Sequence, residues 1–373
     1  MTQGIDTPIW EPRYTITSVI ANGLMAIEAA RAVVDHTPLP LAVQAEIRYR
    51  ARLRSTHYST RIEGNRLTLA EAERAIVGKN KEIRGRERDV GEVRNYWRAL
   101  LRVEEWSRAE TPLSEELIRR LHALVEKGTR AKPTPYRDGQ NVIRDAVSGQ
   151  IVYLPPEAKD VPCLMSAMIA WTHQAGLKGL PVPVIAALLH YQFVTIHPFY
   201  DGNGRTARLL ATFALYRGGY GLNGFFSLEE RHAHDLPLYY RALAIHPHHN
   251  YYAGRADADL TPWIEYFLQT LAHVFSVAKE ETLRLSSDGF YATPDALRRL
   301  DPRARAVIAL FARQERISSH DVAQTLGLSQ RMARELLHAW VGDGWLVVAD
   351  ASNRGRAYRL SANYRQFIGI ADP

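Results

Sequence analysis

Twelve consecutive residues, HPFYDGNGRTAR from His197 to Arg208, gather a histidine, an acid, two glycines, an asparagine and two arginines directly after the apolar run PVPVIAALLHYQFVTI. Each of those polar groups needs a partner once it leaves water, so a core has no use for the mixture and the stretch reads as a site. Pro198 disfavours the right-handed helical conformation at His197, and Gly202 and Gly204 readily take positive φ. A helix therefore stops after Ile196, and a new amphipathic one begins near Asn203. A glycine turn feeding a helix N-terminus leaves backbone N–H groups pointing outward beside the positive end of the dipole, which makes an anion pocket suited to phosphate. Arg205 and Arg208 lie one helical turn apart, so both guanidinium forks reach that pocket. Asp201 offers hard carboxylate oxygens suited to Mg²⁺ beside phosphate. His197, at the rim with an ordinary imidazole pKa, would take a proton from an attacking hydroxyl near neutral pH.

A second polar cluster lies upstream. In STRIEGN, Ser59 and Glu63 fall four residues apart on one helical face, directly before a Gly64-Asn65 stop. Glu63 could pair with an arginine elsewhere, or stand exposed near a helix C-terminus where the dipole slightly disfavours it. Just beyond, Thr68 and Glu71 have the spacing of a capping box that starts another helix.

The elements that must position these residues are mainly helical. SVIANGLMAIEAARAVV, LAVQAEIRYRARLRS, EVRNYWRALLRVEEW, LSEELIRRLHALVEKG and VPCLMSAMIAWTHQAG each place apolar residues at steps of three and four. NVIRDAVSGQIVYLPP alternates instead and carries a Ser-Gly turn between short β-branched runs, which predicts a small hairpin. LPLYYRAL sets Tyr239 beside Tyr240, as core packing or as an aromatic face for a ligand. His246, His248 and His249 in HPHHN lack a helical pair with an acidic third ligand, so they read as a loop. The Ser-, Gly-, Asp- and Pro-rich residues 286–302 suggest a linker.

Beyond it, three short helical patterns, with Gly327 before the third, precede two strands joined by a Gly-containing loop, as in a winged helix-turn-helix. Ser329 to Trp340 would be its recognition helix, with Gln330, Arg331 and Arg334 toward a groove, and Asn353-Arg354-Gly355-Arg356 its wing tip. Leu300 to Pro373 holds ten arginines, no lysines and seven acids. That mild excess leaves DNA contact and a protein-interaction role both open.

The whole chain sets the remaining bounds. Its 373 residues can bury more than one core, and 46% hydrophobic with 23% charged residues is globular composition. No apolar run reaches the length of a membrane span, MTQGIDTPIWEPRY lacks a signal core, and the single Cys163 cannot form an internal disulfide, so a cytoplasmic protein with no membrane partner is expected. A net charge of +7 is compatible with phosphates or nucleic acid and decides little.

His197 to Arg208 resembles the signature of the Fic family, His-Pro-Phe-x-(Asp/Glu)-Gly-Asn-Gly-Arg-x-x-Arg, at every fixed position. STRIEGN is similar to that family's inhibitory motif (Ser/Thr)-x-x-x-Glu-(Gly/Asn), matched by Ser59, Glu63 and Gly64, upstream of the catalytic motif as in class II. The resemblance implies AMP transfer from ATP to a Ser, Thr or Tyr hydroxyl of a target protein, with pyrophosphate released. It assigns His197 as base, Asp201 as the Mg²⁺ ligand, and Asp201, Gly202, Asn203, Gly204, Arg205, Thr206, Ala207 and Arg208 to ATP, with Tyr240 in the adenosine pocket. It implies that Glu63 engages Arg208 and restrains the enzyme, and that the hairpin is a flap aligning the target segment.

The expected layout is a mainly α chain: an N-terminal helical region over 1–110 with the inhibitory helix, a Fic core over 111–285, the linker over 286–302 and the winged helix domain over 303–373. Expected partners are the target hydroxyl, the chain itself through self-AMPylation, a second copy in a homodimer, and DNA. Two alternatives stand beside AMP transfer: removal of AMP or transfer of another phosphate-containing group, and a DNA-binding regulator whose core senses nucleotide.

Overall fold

In the computed structural model of the chain, residues 10–78, 85–128, 132–144, 149–287, 300–312, 314–350, 352, 356–361 and 364 are described. The apolar steps of three and four residues become α1 (Ser18–His36), α2 (Leu41–Ile62), α3 (Leu69–Ile76), α4 (Glu87–Arg108), α5 (Glu115–Lys127) and α6 (Val161–Leu177). They continue as α7 (Val182–Ile196), α8 (Asn203–Arg217), α9 (Leu228–His234), α10 (Leu236–Leu243) and α11 (Thr261–Ser287). The chain divides into two compact units: Met1–Val33 with Ala51–Lys279, and Val34–Arg50 with Glu280–Pro373. The first unit thus joins the N-terminal helices to those around the motif.

Within the first unit α7 is the axis of the core. Every residue from Pro183 to Ile196 except Val194 is buried, as expected of a helix apolar on all sides. Its Leu189, Phe193 and Ile196 meet Leu117, Leu121 and Val125 of α5, Met165 and Met168 of α6, and Leu209, Leu210 and Phe213 of α8 in one cluster. α5 starts where the Ser114 hydroxyl accepts the Leu117 N–H at 3.2 Å, and it ends on Gly128 at φ 80°. α3 starts with the Thr68–Glu71 capping box.

The flap is a two-stranded antiparallel pair, β1 (Ile143–Arg144) with β2 (Ile151–Tyr153), registered as Ile143 opposite Tyr153. Asp145 to Ser148, which include the serine of the Ser-Gly turn, lie outside the described residues. The loop HPHHN anchors the flap. Leu154 N–H donates to the His249 carbonyl, and Leu154 forms a parallel bridge with Asn250, tying the end of β2 to the body.

The second unit holds α12 (Pro302–Ile308), β3 (Ile317–Ser318), α13 (Ser319–Leu326), α14 (Gln330–Gly342), β4 (Leu346–Asp350) and β5 (Ala357–Leu360). The strands form one antiparallel sheet ordered β3-β5-β4, so a third, two-residue strand joins the expected pair. Gly327 takes the left-handed conformation between α13 and α14, and Trp340, Trp345, Val307, Phe311 and Leu337 centre the core. Residues 288–299 of the expected linker and Asn353 to Gly355 of the expected wing tip lie outside the described residues. Among the described residues no helix is long and apolar enough to cross a membrane.

Candidate active site

α7 ends because His197 is forced out of the helix by Pro198: its backbone sits at φ 51°, ψ 59°. The loop returns through Gly202, also left-handed at φ 74°, into α8. Asn203 fastens this bend from inside. Its Oδ1 accepts the Phe199 N–H at 3.0 Å and its Nδ2 donates to the Phe199 carbonyl at 2.8 Å. Gly202 N–H donates to Asp201 Oδ1 at 2.6 Å, and no side chain caps the helix from Gly202. The first turn of α8 therefore presents backbone donors to the bend.

Gly204 corrects one detail of the sequence reading. It is helical and does not use positive φ. What it lacks is a Cβ, which would stand 2.3 Å from Glu63 Oε1; a Cβ at Gly202 would likewise stand 2.4 Å from Glu126 Oε1. Two carboxylates thus press against the two glycines of the anion turn.

Each carboxylate holds one arginine. Arg208, 3% exposed, donates from Nε to Ser59 Oγ at 2.8 Å, and from one terminal nitrogen to the Ser59 carbonyl at 3.0 Å and Glu63 Oε1 at 2.8 Å. Ser59 and Glu63 therefore meet the same guanidinium, and Gly64 at φ 93° turns the chain away after them. Arg205 pairs with Glu126 Oε1 at 2.8 Å and lies 3.6 Å from Asp201 Oδ1, while its buried Nε has no protein partner. That orphaned donor faces the demand every buried polar group has for an acceptor. Thr206 and Ala207 are buried: the Thr206 hydroxyl donates to the Gly202 carbonyl of the bend at 2.8 Å, and Ala207 joins the core.

The His197 ring is half-buried, with Nδ1 3.3 Å from the Val194 carbonyl. A carbonyl accepts only from N–H, so this contact leaves the Nε2 lone pair as the basic position. Burial pulls the imidazole down to about 4. The ordinary pKa expected from sequence is thus corrected: His197 is neutral throughout the physiological range and competent to accept a proton.

Tyr239 and Tyr240 separate. Tyr239 is buried with its hydroxyl 3.0 Å from His190 Nε2, and Tyr240 is half-exposed with its hydroxyl 3.5 Å from the Ile62 carbonyl, at the end of α2. Burial pushes the Tyr240 phenol up to about 12. Tyr240 therefore borders the Glu63 contact.

Sequence reasoning missed three residues. Glu126 is one, its carboxyl pushed up by burial. His122 is another: its Nε2 lies 2.7 Å from the Asp201 carbonyl, its ring stacks on Phe199 at 3.7 Å, and burial pulls it down to about 4. Arg137 is the third, donating from Nε to the His197 carbonyl at 2.9 Å. The available signal was an imidazole on the apolar face of α5, with an acid four residues on.

Similarity to known proteins falls on this same region. Residues 112–215 match the Fic/DOC family. Curated relatives named protein adenylyltransferase Fic include one from Nematostella vectensis, 28% identical over 213 residues, covering 56% of this chain and 44% of the relative. Another, from Drosophila erecta, is 31% identical over 165 residues, covering 44% of this chain and 32% of the relative. The chain thus spans less than half the length of these relatives. A crystal structure of a Fic family protein from Desulfovibrio desulfuricans G20 is similar over 95% of this chain and 99% of its own, with 28% identity and a TM-score of 0.59. A Fic domain containing signaling protein from Bacteroides thetaiotaomicron VPI-5482 is similar over 72% of this chain and 98% of its own, with 25% identity and a TM-score of 0.58. The glycine bend between α7 and α8 and the histidine at its mouth both lie within residues 112–215, the stretch of this chain that matches the Fic/DOC family.

Proposed function

We propose that this chain is a protein adenylyltransferase restrained by Glu63, in the class II manner. The observation that carries the reading is the three-bond seating of Arg208 on Ser59 and Glu63 at the head of α8, where a nucleotide's terminal phosphate would otherwise lie. The α8 N–H groups and the unpartnered Nε of Arg205 suit the inner phosphates of ATP. Arg208 takes the γ-phosphate once Glu63 leaves. His197 Nε2 accepts the proton of a Ser, Thr or Tyr hydroxyl as its oxygen attacks the α-phosphorus. A P–O bond forms to the target, the bond to the bridging oxygen breaks, and pyrophosphate departs. The exposed Asp201 carboxylate has the hard oxygen chemistry Mg²⁺ needs, and the ion when bound would neutralise phosphate charge. Tyr240 would border the adenosine.

Replacing Glu63 by Gly should raise self-labelling from α-³²P-ATP with Mg²⁺ by at least tenfold, and His197→Ala in that background should abolish labelling while ATP binding persists. Labelling unchanged by Glu63→Gly rejects the restraint, and full labelling in His197→Ala rejects the base. Removal of AMP from a pre-labelled protein is the alternative outcome of the same assay.

For the second unit we infer a winged helix used against protein, a second copy included. Arg331 pairs with Glu335 at 3.2 Å and Arg334 reaches Gln330 at 3.5 Å, so the cations of α14 are engaged along their own helix. A salt-dependent gel shift with genomic fragments would instead identify a DNA-binding regulator. The exposed, unpaired Cys163 suits a reducing cytoplasm.

A further inference from the structure

Residues 137–141, Arg-Asp-Gly-Gln-Asn, lead from α5 into the flap and run beside the loop that carries His197. They hold four successive carbonyls of that loop. The Arg137 N–H donates to the Pro198 carbonyl at 2.9 Å, and its Nε donates to the His197 carbonyl at 2.9 Å. Asn141 Nδ2 donates to the carbonyls of Phe199 at 3.2 Å and Tyr200 at 3.4 Å. The Tyr200 hydroxyl donates back to the Asp138 carboxylate at 2.7 Å.

The Arg137 guanidinium, 3% exposed, also gathers the two limbs of the flap. One terminal nitrogen donates to the Gly139 carbonyl at 3.0 Å on the entering limb, and the other donates to the Pro156 carbonyl on the returning limb. On β2, the Tyr153 hydroxyl donates to the Thr195 carbonyl at 2.7 Å, one residue before the end of α7. A buried cation is expensive, and the acceptors that surround this one are neutral carbonyls. Packing alone would be served by a neutral side chain. The planar fork answers three differently placed carbonyls at once, which a lysine's point charge does not reproduce.

We propose that Arg137 is a positioning residue: it locks both limbs of the flap to the backbone of His197, so that a hydroxyl presented along the flap and the imidazole that deprotonates it are held in register. This rests on the adenylyl-transfer reading. On that reading ATP would contact the other side of the bend, at α8, and would not be held by this lock.

The test uses the full chain in the Glu63→Gly background, comparing Arg137→Lys and Asn141→Ala with their parent. Calorimetry with ATP should give dissociation constants within twofold of the parent, while self-labelling falls at least 30-fold for Arg137→Lys and about threefold to fivefold for Asn141→Ala. Hydrogen exchange should show residues 138–144, 149–156 and 197–200 losing protection together, with α5, α6 and α8 unchanged. Undiminished labelling in Arg137→Lys, protection lost across the whole unit, or ATP affinity and labelling falling in parallel would each overturn the proposal. Should Arg137→Lys not fold, the half-buried Asn141→Ala decides: without paired loss of protection in flap and loop, the lock is rejected. Exchange needs no turnover, so a parent that fails to label rejects the transferase reading alone.

Discussion

At Arg205 two carboxylates share one guanidinium, and they are not equivalent. Asp201 is largely exposed and 3.6 Å away, whereas Glu126 is mostly buried at 2.8 Å with its oxygen against Gly202. On the proposed reading, a negative charge there would oppose phosphate entry even with Glu63 removed. Glu126→Gln keeps the shape and removes the charge, and in the Glu63→Gly background it should tighten ATP binding by about tenfold, roughly 1.4 kcal/mol. Calorimetry checks this. Weaker binding would show instead that Glu126 is needed to aim Arg205. Replacing Gly202 by Ala should do the opposite for two separate reasons: φ 74° disfavours a side chain, and its Cβ would collide with Glu126. Loss of measurable ATP binding with a melting temperature lowered by only about 2–4 °C is the expected result, and retained binding would remove the bend from the phosphate site.

At the scale of elements, the proposed restraint would depend on how α2 is finished. A carboxylate at a helix C-terminus is disfavoured by the dipole, so Glu63 is held by Arg208 and by what fixes the turn after it. Asn65 does that fixing. Its Nδ2 donates to the Asp89 carbonyl and to Glu92 Oε2, both at 3.0 Å, and its Oδ1 accepts the Leu67 N–H, tying the end of α2 to α4. Asn65→Ala should therefore raise self-labelling severalfold, less than Glu63→Gly, and an unchanged rate would show that the ion pair alone sets the restraint. The same element separates what could be read in the sequence from what could not. Ser59, Glu63 and the 197–208 bend were legible because helix geometry brings residues four apart together and because Pro198 and Gly202 dictate where backbones turn. Asn65, Glu126 and Arg137 were not. Their partners lie 24, 79 and 60 residues away, and an isolated acid or arginine on a helix or in a loop has the same local pattern whether it meets water or a buried site. Gly204 was legible as small but not for its reason, which is the approach of Glu63 from another helix.

For the first unit as a whole, several imidazoles lowered by burial set an acid limit that His197 alone would not. Burial pulls His122 and His197 down to about 4 and His232 to about 3, and lowers the fully buried His190 as well. An unfolded chain takes up protons on these rings near pH 6.5 while the native chain does not, so the native state is disfavoured as pH falls below that value. Each ring withdraws up to about 1.4 kcal/mol per pH unit between its unfolded and folded values. Glu126, raised by burial, acts in the opposite direction, but it is one group against these four and His57, whose imidazole burial also lowers. Chemical denaturation should accordingly give stability that is level above about pH 7 and falls steeply from about 6.5 toward 4.5. Replacing His232 by Gln, which can keep a hydrogen bond to the Tyr266 hydroxyl now 2.9 Å from its ring, should make that descent shallower by up to about 1.4 kcal/mol per pH unit. A stability curve level down to pH 5 would show that these rings are not held neutral by the fold. Because His197 stays unprotonated until about pH 4, labelling lost between pH 6 and 5 should track unfolding and not titration of the base, so dilution back to pH 7 should restore it only as fast as the unit refolds.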